Sequence, residues 1–191
     1  MFILGLTGPI GSGKSTAAAF LQEEGFLWLE VDKLGHEFLK EPSPVHSQVK
    51  DIFGTDSRLS IREQVFNYPE KLTELNRLVH PLIKEAVAEK IAELDKDGAA
   101  GVLLDAAVLY EIGLPELCDN IWAVWSDKQL IKSRMERKGW DRNLVDNVLK
   151  TQKDREFLQK NASVLIENNG SIEDLRDSVL KALKKITDKA E

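Results

Sequence analysis

The sequence predicts an α/β fold: a parallel sheet of five strands between two helical layers, extended by a helical insertion and a small lid. Three observations predict it. Short apolar runs alternate with longer segments of helical pattern along the whole chain, as crossover-connected parallel strands require. The runs are nearly continuous in their apolar character, which marks strands buried on both faces. The first run leads through a glycine-rich turn directly into a helix, the usual opening of a doubly wound sheet.

In chain order, Phe2 to Leu6 reads as the first buried strand, and Lys14 to Glu24 as a helix closed by Gly25 as its C-cap. Phe26 to Val31 is the second strand, ending at Asp32. From Lys33 to Asp97 the pattern is helical, broken around Pro42, Pro44 and Pro69. Its strongest element is Glu70 to Leu94, where Leu72, Leu75, Leu78, Val79, Leu82, Ile83, Val87 and Ile91 recur at helical spacing. Pro81 falls inside that pattern and is expected to kink or split the helix. Gly101 to Asp105, Asn120 to Trp125 and Ser163 to Ile166 are the remaining strands; helices are expected at Lys128–Lys138, Asn143–Lys160 and Ile172–Lys185. The chain thus reads as one domain, 1–191, with an insertion at about 33–97 and a lid at about 134–155.

Composition narrows the function classes. Hydrophobic residues are 42% and charged residues 30%, as in an ordinary soluble domain. The formal net charge is −6, from 26 Lys+Arg against 32 Asp+Glu, so duplex binding through a broad basic face is not expected and no nucleic-acid partner is assigned. Cys118 is the single cysteine and can form no internal disulfide, which fits a reducing cytoplasm. The apolar N-terminus lacks the basic start of a signal peptide, and no stretch approaches 18 uncharged apolar residues, so no membrane association is expected. A cytoplasmic monomer is the expectation.

Gly8-Pro9-Ile10-Gly11-Ser12-Gly13-Lys14-Ser15 satisfies G-x-x-x-x-G-K-[ST] at every fixed position, between a strand and a helix. Gly8, Gly11 and Gly13 permit the backbone to turn successive N–H groups into one concavity, and the helix starting at Lys14 adds its free N–H groups and positive dipole end. Lys14 then reaches the β- and γ-phosphates of a nucleoside triphosphate, and the Ser15 hydroxyl ligates Mg²⁺. The match and its context predict a P-loop kinase-like three-layer fold that binds ATP through Gly11, Ser12, Gly13, Lys14, Ser15 and Thr16. No Asn-Lys-x-Asp base-reading motif of a GTPase is present.

Three further features bear on chemistry. Asp32, at the carboxyl edge of the second strand, is either a base that orients an acceptor hydroxyl or the N-cap of the helix after it. Asp105 ends the third strand as a Walker B carboxylate does, holding Mg²⁺ through water, or serves as a strand-end turn residue. Lys132, Arg134, Arg137, Lys138, Arg142 and Arg155 gather positive charge in a net-negative chain, either as a lid that screens the transferring phosphoryl or as a solvated face. His80-Pro81 and Asn168-Asn169-Gly170 alone read as a helix kink and a left-handed turn.

Taken in order, these residues resemble the dephospho-coenzyme A kinase family over nearly the whole chain, from Gly5-Leu6-Thr7-Gly8 to Asn168-Asn169-Gly170. The specific part is the ordered set Asp32-x-x-Gly35-His36, Val79-His80-Pro81 and Ile166-x-Asn168-Asn169-Gly170; Arg58 with Ile61, Val65 and Phe66, Ile131 to Arg134, and Gln152 with Arg155 add to it. The resemblance implies transfer of the ATP γ-phosphoryl to the ribose 3′-hydroxyl of dephospho-CoA. It implies Asp32 as base, with Lys14 and Arg134 as catalytic partners, Asn169 at the adenine, and His36, Arg58 and His80 at the acceptor. The alternatives are another small-molecule kinase or a nucleotide-gated switch. The chain departs from the family pattern at Ala107-Val108-Leu109, where Pro-Leu-Leu is common, at Ser163, where Asp is common, and in the short turn Gly54 to Ser57.

Overall fold

A computed structural model describes residues 1–39 and 42–188, without the side chains of His36, Arg58, Arg62, Phe66, Asn67 and Thr187. Strand β1 (Phe2–Thr7) lies at the centre of the sheet, paired in parallel with β3 (Gly101–Asp105) and β4 (Asn120–Trp125). Beyond them lie β2 (Leu27–Glu30) on β3 and β5 (Val164–Glu167) on β4, giving the order β2-β3-β1-β4-β5. All five strands are parallel, as the continuous apolar runs require. Their carboxyl ends therefore share one edge, and the registers Leu6↔Asp105 and Glu30↔Asp105 bring the end of β3 beside the turn that leaves β1.

One face of the sheet is covered by α1 (Lys14–Glu23) and α10 (Ile172–Thr187). Ala17, Ala18 and Leu21 pack there with Leu175 and Val179 against Leu4, Leu6, Leu103 and the fully buried Trp122. A capping box, Ser171 with Asp174, starts α10. On the other face the insertion comprises α2 (Val31–Glu37), α3 (His46–Phe53), α4 (Arg58–Asn67) and α5 (Pro69–Lys96). Leu75, Val79, Ile83 and Val87 of α5 join the core that includes Val102 and Leu104. The chain then runs through α6 (Leu109–Ile112), a short 3-10 turn and β4 into α7 (Lys128–Arg137), α8 (Arg142–Thr151) and α9 (Arg155–Asn161).

Three expectations are corrected. The helix α5 is one element of 28 residues and is not split at Pro81. Pro81 is on its exposed side, and the buried residues on either side of the proline, Val79 and Ile83, seat both halves in one core. The helix expected over Asn143–Lys160 is two, because Asp154 accepts from the Phe157 N–H at 2.8 Å and starts a new helix there. The second strand ends at Glu30, so Asp32 lies in the first turn of α2, not at the strand end and not at an N-cap. Helix registry, not strand geometry, aims its side chain.

Candidate active site

The turn from β1 to α1 wraps a bare helix N-terminus. Helix α1 starts at Lys14 with no side-chain cap and no acidic residue in its first turn, which leaves its N–H groups to an anion. Gly13 has φ +99°, and a Cβ there would stand 2.1 Å from the Asn168 amide nitrogen. Both facts demand glycine. The loop lines a cavity of about 760 Å³ that Lys14, Ser15, Thr16, Asp32 and Asn168 also reach. Ser12, expected at the nucleotide, does not line it; its side chain is buried and its N–H bonds the Pro9 carbonyl at 3.1 Å.

Lys14 sits between two carboxylates. Its ammonium is bonded to Asp105 and lies 3.7 Å from Asp32 Oδ2. Their exposures separate their chemistry: Asp105 is 5% exposed, Asp32 41%. Burial pushes the Asp105 carboxyl above the usual carboxylate range, and the Lys14 charge pulls it back. The indole N–H of Trp28, from β2, donates to the other Asp105 oxygen at 3.1 Å. Asp32 accepts from the Ala107 N–H at 3.4 Å and keeps open room on the cavity side. The buried carboxylate therefore holds the lysine, while the exposed one can meet a proton.

The basic segment divides. Arg137 and Lys138 line the cavity, whereas Arg142 pairs with Glu136 and Lys132 with Asp146. Arg155 pairs with Glu167 away from the cavity wall, so it leaves the lid group. The guanidinium of Arg134 also borders the cavity, yet it is bonded to main-chain carbonyls and the Ser126 hydroxyl. Asn169, expected at the adenine, does not line the cavity; its side-chain oxygen accepts from the Asp127 N–H at 2.9 Å. Its neighbour Asn168 is buried and does line the cavity, donating to the Ser12 carbonyl at 2.7 Å. His80 is also absent from this cavity. Its Nδ1 is 3.1 Å from the Glu111 carbonyl, and burial holds its pKa below the ordinary value. The side chains of His36 and Arg58 lie outside the described residues; their backbones belong to α2 and α4.

The model of the dephospho-CoA kinase (CoaE) family matches residues 2–174. The chain belongs to the dephospho-CoA kinase family. A dephospho-CoA kinase of Carboxydothermus hydrogenoformans is 35% identical over 96% of this chain and 93% of its own. One from Dehalococcoides mccartyi is 34% identical over 94% of each chain. Among solved structures, TT1252 from Thermus thermophilus superposes with a TM-score of 0.80 at 31% identity, covering 96% of each chain. A dephospho-CoA kinase from Campylobacter jejuni gives 0.70 at 25% identity, over 99% of this chain and 98% of that one. Shikimate kinase from Acinetobacter baumannii, at 18% identity and a TM-score of 0.54, shares the fold alone. The five-stranded P-loop kinase fold read from the sequence is the fold observed.

Within this dephospho-CoA kinase family member, sequence reasoning missed Trp28 and Ser126 as parts of the site, and from the Asn168-Asn169-Gly170 segment it singled out Asn169 rather than the cavity-lining Asn168. Trp28 lies on the same strand face as Glu30, and only sheet register shows that its indole reaches Asp105. Asn168 was one residue from the expected Asn169. Strand alternation can separate the two, since Ile166 and Asn168 are buried and Glu167 and Asn169 exposed.

Proposed function

We propose that this chain transfers the γ-phosphoryl of ATP to the ribose 3′-hydroxyl of dephospho-CoA, forming CoA and ADP, the last step of coenzyme A synthesis. One observation carries the reading beyond family membership: an exposed carboxylate, Asp32, stands on the cavity wall 3.7 Å from the P-loop lysine. A base for a hydroxyl acceptor belongs there. An ATPase that delivers phosphoryl to water has no need of an open acceptor side.

In this reading the P-loop N–H groups and the N-terminus of α1 hold the triphosphate, and Lys14 turns from Asp105 to the β- and γ-phosphates. Asp32 takes the proton of the 3′-hydroxyl, whose oxygen forms the new bond to γ-phosphorus as the bond to the ADP oxygen breaks. Arg137 and Lys138, on the cavity wall, offset the charge on the equatorial oxygens. The insertion carries His36, Arg58 and His80 as acceptor-binding candidates. Ser15 is exposed at the second position of α1 and lines the cavity, so its hydroxyl suits Mg²⁺, with Asp105 acting through water. Among the described residues no cluster of three His, Cys, Asp or Glu could hold a metal ion, so the proposed Mg²⁺ would also need phosphate oxygens as ligands. When bound, that ion neutralises phosphate charge. The single cysteine and the small-molecule chemistry support our assignment of a cytoplasmic monomer; separately, no helix among the described residues is long and apolar enough to cross a membrane.

The test is an ADP-release assay with adenylate, gluconate, pantothenate and dephospho-CoA as acceptors, with phosphorus NMR of the product. Turnover with dephospho-CoA alone, and a new 3′-phosphate, is the expected result. Equal ADP release without acceptor would return the protein to the switch or ATPase class.

A further inference from the structure

Arg134 was expected to meet the transferring phosphoryl, but both of its terminal nitrogens are bonded to groups of the protein itself. Nη1 donates to the Ser126 hydroxyl at 2.7 Å and lies 3.3 Å from the Gly11 carbonyl and 3.4 Å from the Ser12 carbonyl. Nη2 donates to the Asn168 carbonyl at 3.0 Å. These acceptors come from three separate segments: the loop after β1, the end of β4 and the end of β5. All of them are neutral. The guanidinium touches all three segments, and the Ser126 hydroxyl beside it, bonded to the Ser12 carbonyl at 3.0 Å and the Asn168 carbonyl at 2.6 Å, ties the same three together.

The Ser12 carbonyl is the centre of the cluster. Besides Arg134 it faces the Asn168 amide at 2.7 Å and the Ser126 hydroxyl at 3.0 Å, and Ser126 and Asn168 are both buried. A trans peptide sets its C=O and the following N–H antiparallel. Holding the Ser12 carbonyl against Arg134 and Asn168 therefore turns the Gly13 N–H to the opposite side of the peptide, the side on which the proposed triphosphate would lie. Arg134 also fixes α7 one turn before Arg137 and Lys138, the cavity-lining cations.

We propose that Arg134 is a positioning residue: its planar fork locks the Ser12–Gly13 peptide and seats α7, and its charge does not screen the transition state. The kinetic part of this proposal rests on the phosphoryl transfer proposed above; the geometric part does not. Geometry and charge make opposite demands on one substitution. A lysine restores the cation but cannot span three segments, because an ammonium is a compact donor on a flexible stem. A screening role predicts rescue by lysine; a positioning role predicts none.

The experiment compares Arg134→Lys, Arg134→Ala, Asn168→Ala and the Arg134→Lys/Asn168→Ala double variant. The readouts are ADP affinity by calorimetry, kcat and KM with dephospho-CoA, and thermal unfolding. Positioning predicts that Arg134→Lys and Arg134→Ala lose ADP affinity alike, by about 10-fold or more, the equivalent of one lost hydrogen-bonding contact. It also predicts that Asn168→Ala weakens ADP, and that the double variant loses less than the product of the single losses, because both side chains hold one carbonyl. Arg134→Lys with kcat and ADP affinity within about 2-fold of wild type overturns the proposal. So does strict multiplicativity in the double variant. If Arg134→Lys unfolds below assay temperature, Asn168→Ala decides: unchanged ADP affinity in that folded variant overturns the proposal, and weakened affinity supports it. A wild type inactive toward dephospho-CoA would remove the function reading alone, since ADP binding still reports on the loop.

Discussion

Replacing Asp32 by Asn separates catalysis from stability at one atom. Asn keeps a side-chain oxygen for the Ala107 N–H, which Asp32 accepts at 3.4 Å. What disappears is the charge 3.7 Å from Lys14. Lys14 retains its bond to Asp105, and Asp32 is 41% exposed, so solvent screens the lost pair. Exposed pairs of this kind contribute about 0.2–1 kcal/mol, which for a chain of this size moves Tm by up to about 4 °C. Loss of a general base costs about 10²–10⁴ in rate, or roughly 2.7–5.4 kcal/mol at the transition state. The activity loss should thus exceed the stability loss several-fold. ATP affinity should hold or tighten, since a negative charge leaves the phosphate side of the cavity. Stopped-assay kcat with dephospho-CoA, calorimetric ATP binding and a melting curve on one preparation check this. A kcat within 3-fold of wild type would refute the base assignment. Weakened ATP binding would show that Asp32 orders the loop instead.

Lys14→Ala should lower kcat by at least about 10²-fold, and it should also destabilise the protein by about 3 kcal/mol, because it leaves the buried Asp105 without its cation; kinetics and thermal melts measure both. Gly13→Ala should abolish nucleotide binding and lower Tm by several degrees, since alanine at φ +99° is strained and its Cβ strikes Asn168; a normal melt with normal ADP affinity would contradict the cradle geometry. The His80 pKa is depressed by burial, so the unfolded chain binds a proton there more readily than the folded one. Its contribution to stability is present above the ordinary value of 6.5 and is lost as pH falls through the folded value. Stability of the wild type should therefore drop from pH 7.5 to 5.5 more steeply than that of His80→Gln, as urea unfolding at both pH values would show.

The sequence by itself determined the parts whose cause is local. The P-loop is legible because glycine, lysine and serine at fixed spacing are demanded by a bare helix N-terminus and an anion. The parallel sheet is legible because continuous apolar runs separated by helical segments can bury both faces in no other way. Asp105 was legible as a strand-end carboxylate, and Asp32 as a carboxylate at the same edge of the sheet, though not its place in the first turn of α2 or the division of labour between the two. The structure alone decided that Asp105 is sealed against Lys14 and Trp28 while Asp32 stays open, since burial depends on strands far apart in sequence. It also decided the fate of the basic segment. Arg134, Arg137 and Arg155 have the same charge and similar sequence surroundings, yet they contact the P-loop, the cavity and the surface of β5 respectively. No periodicity carries that information. Helix α7 places Arg134 against a carbonyl that becomes its neighbour only when β1, β4 and β5 lie side by side, and the sheet order that puts them there is a property of the folded chain.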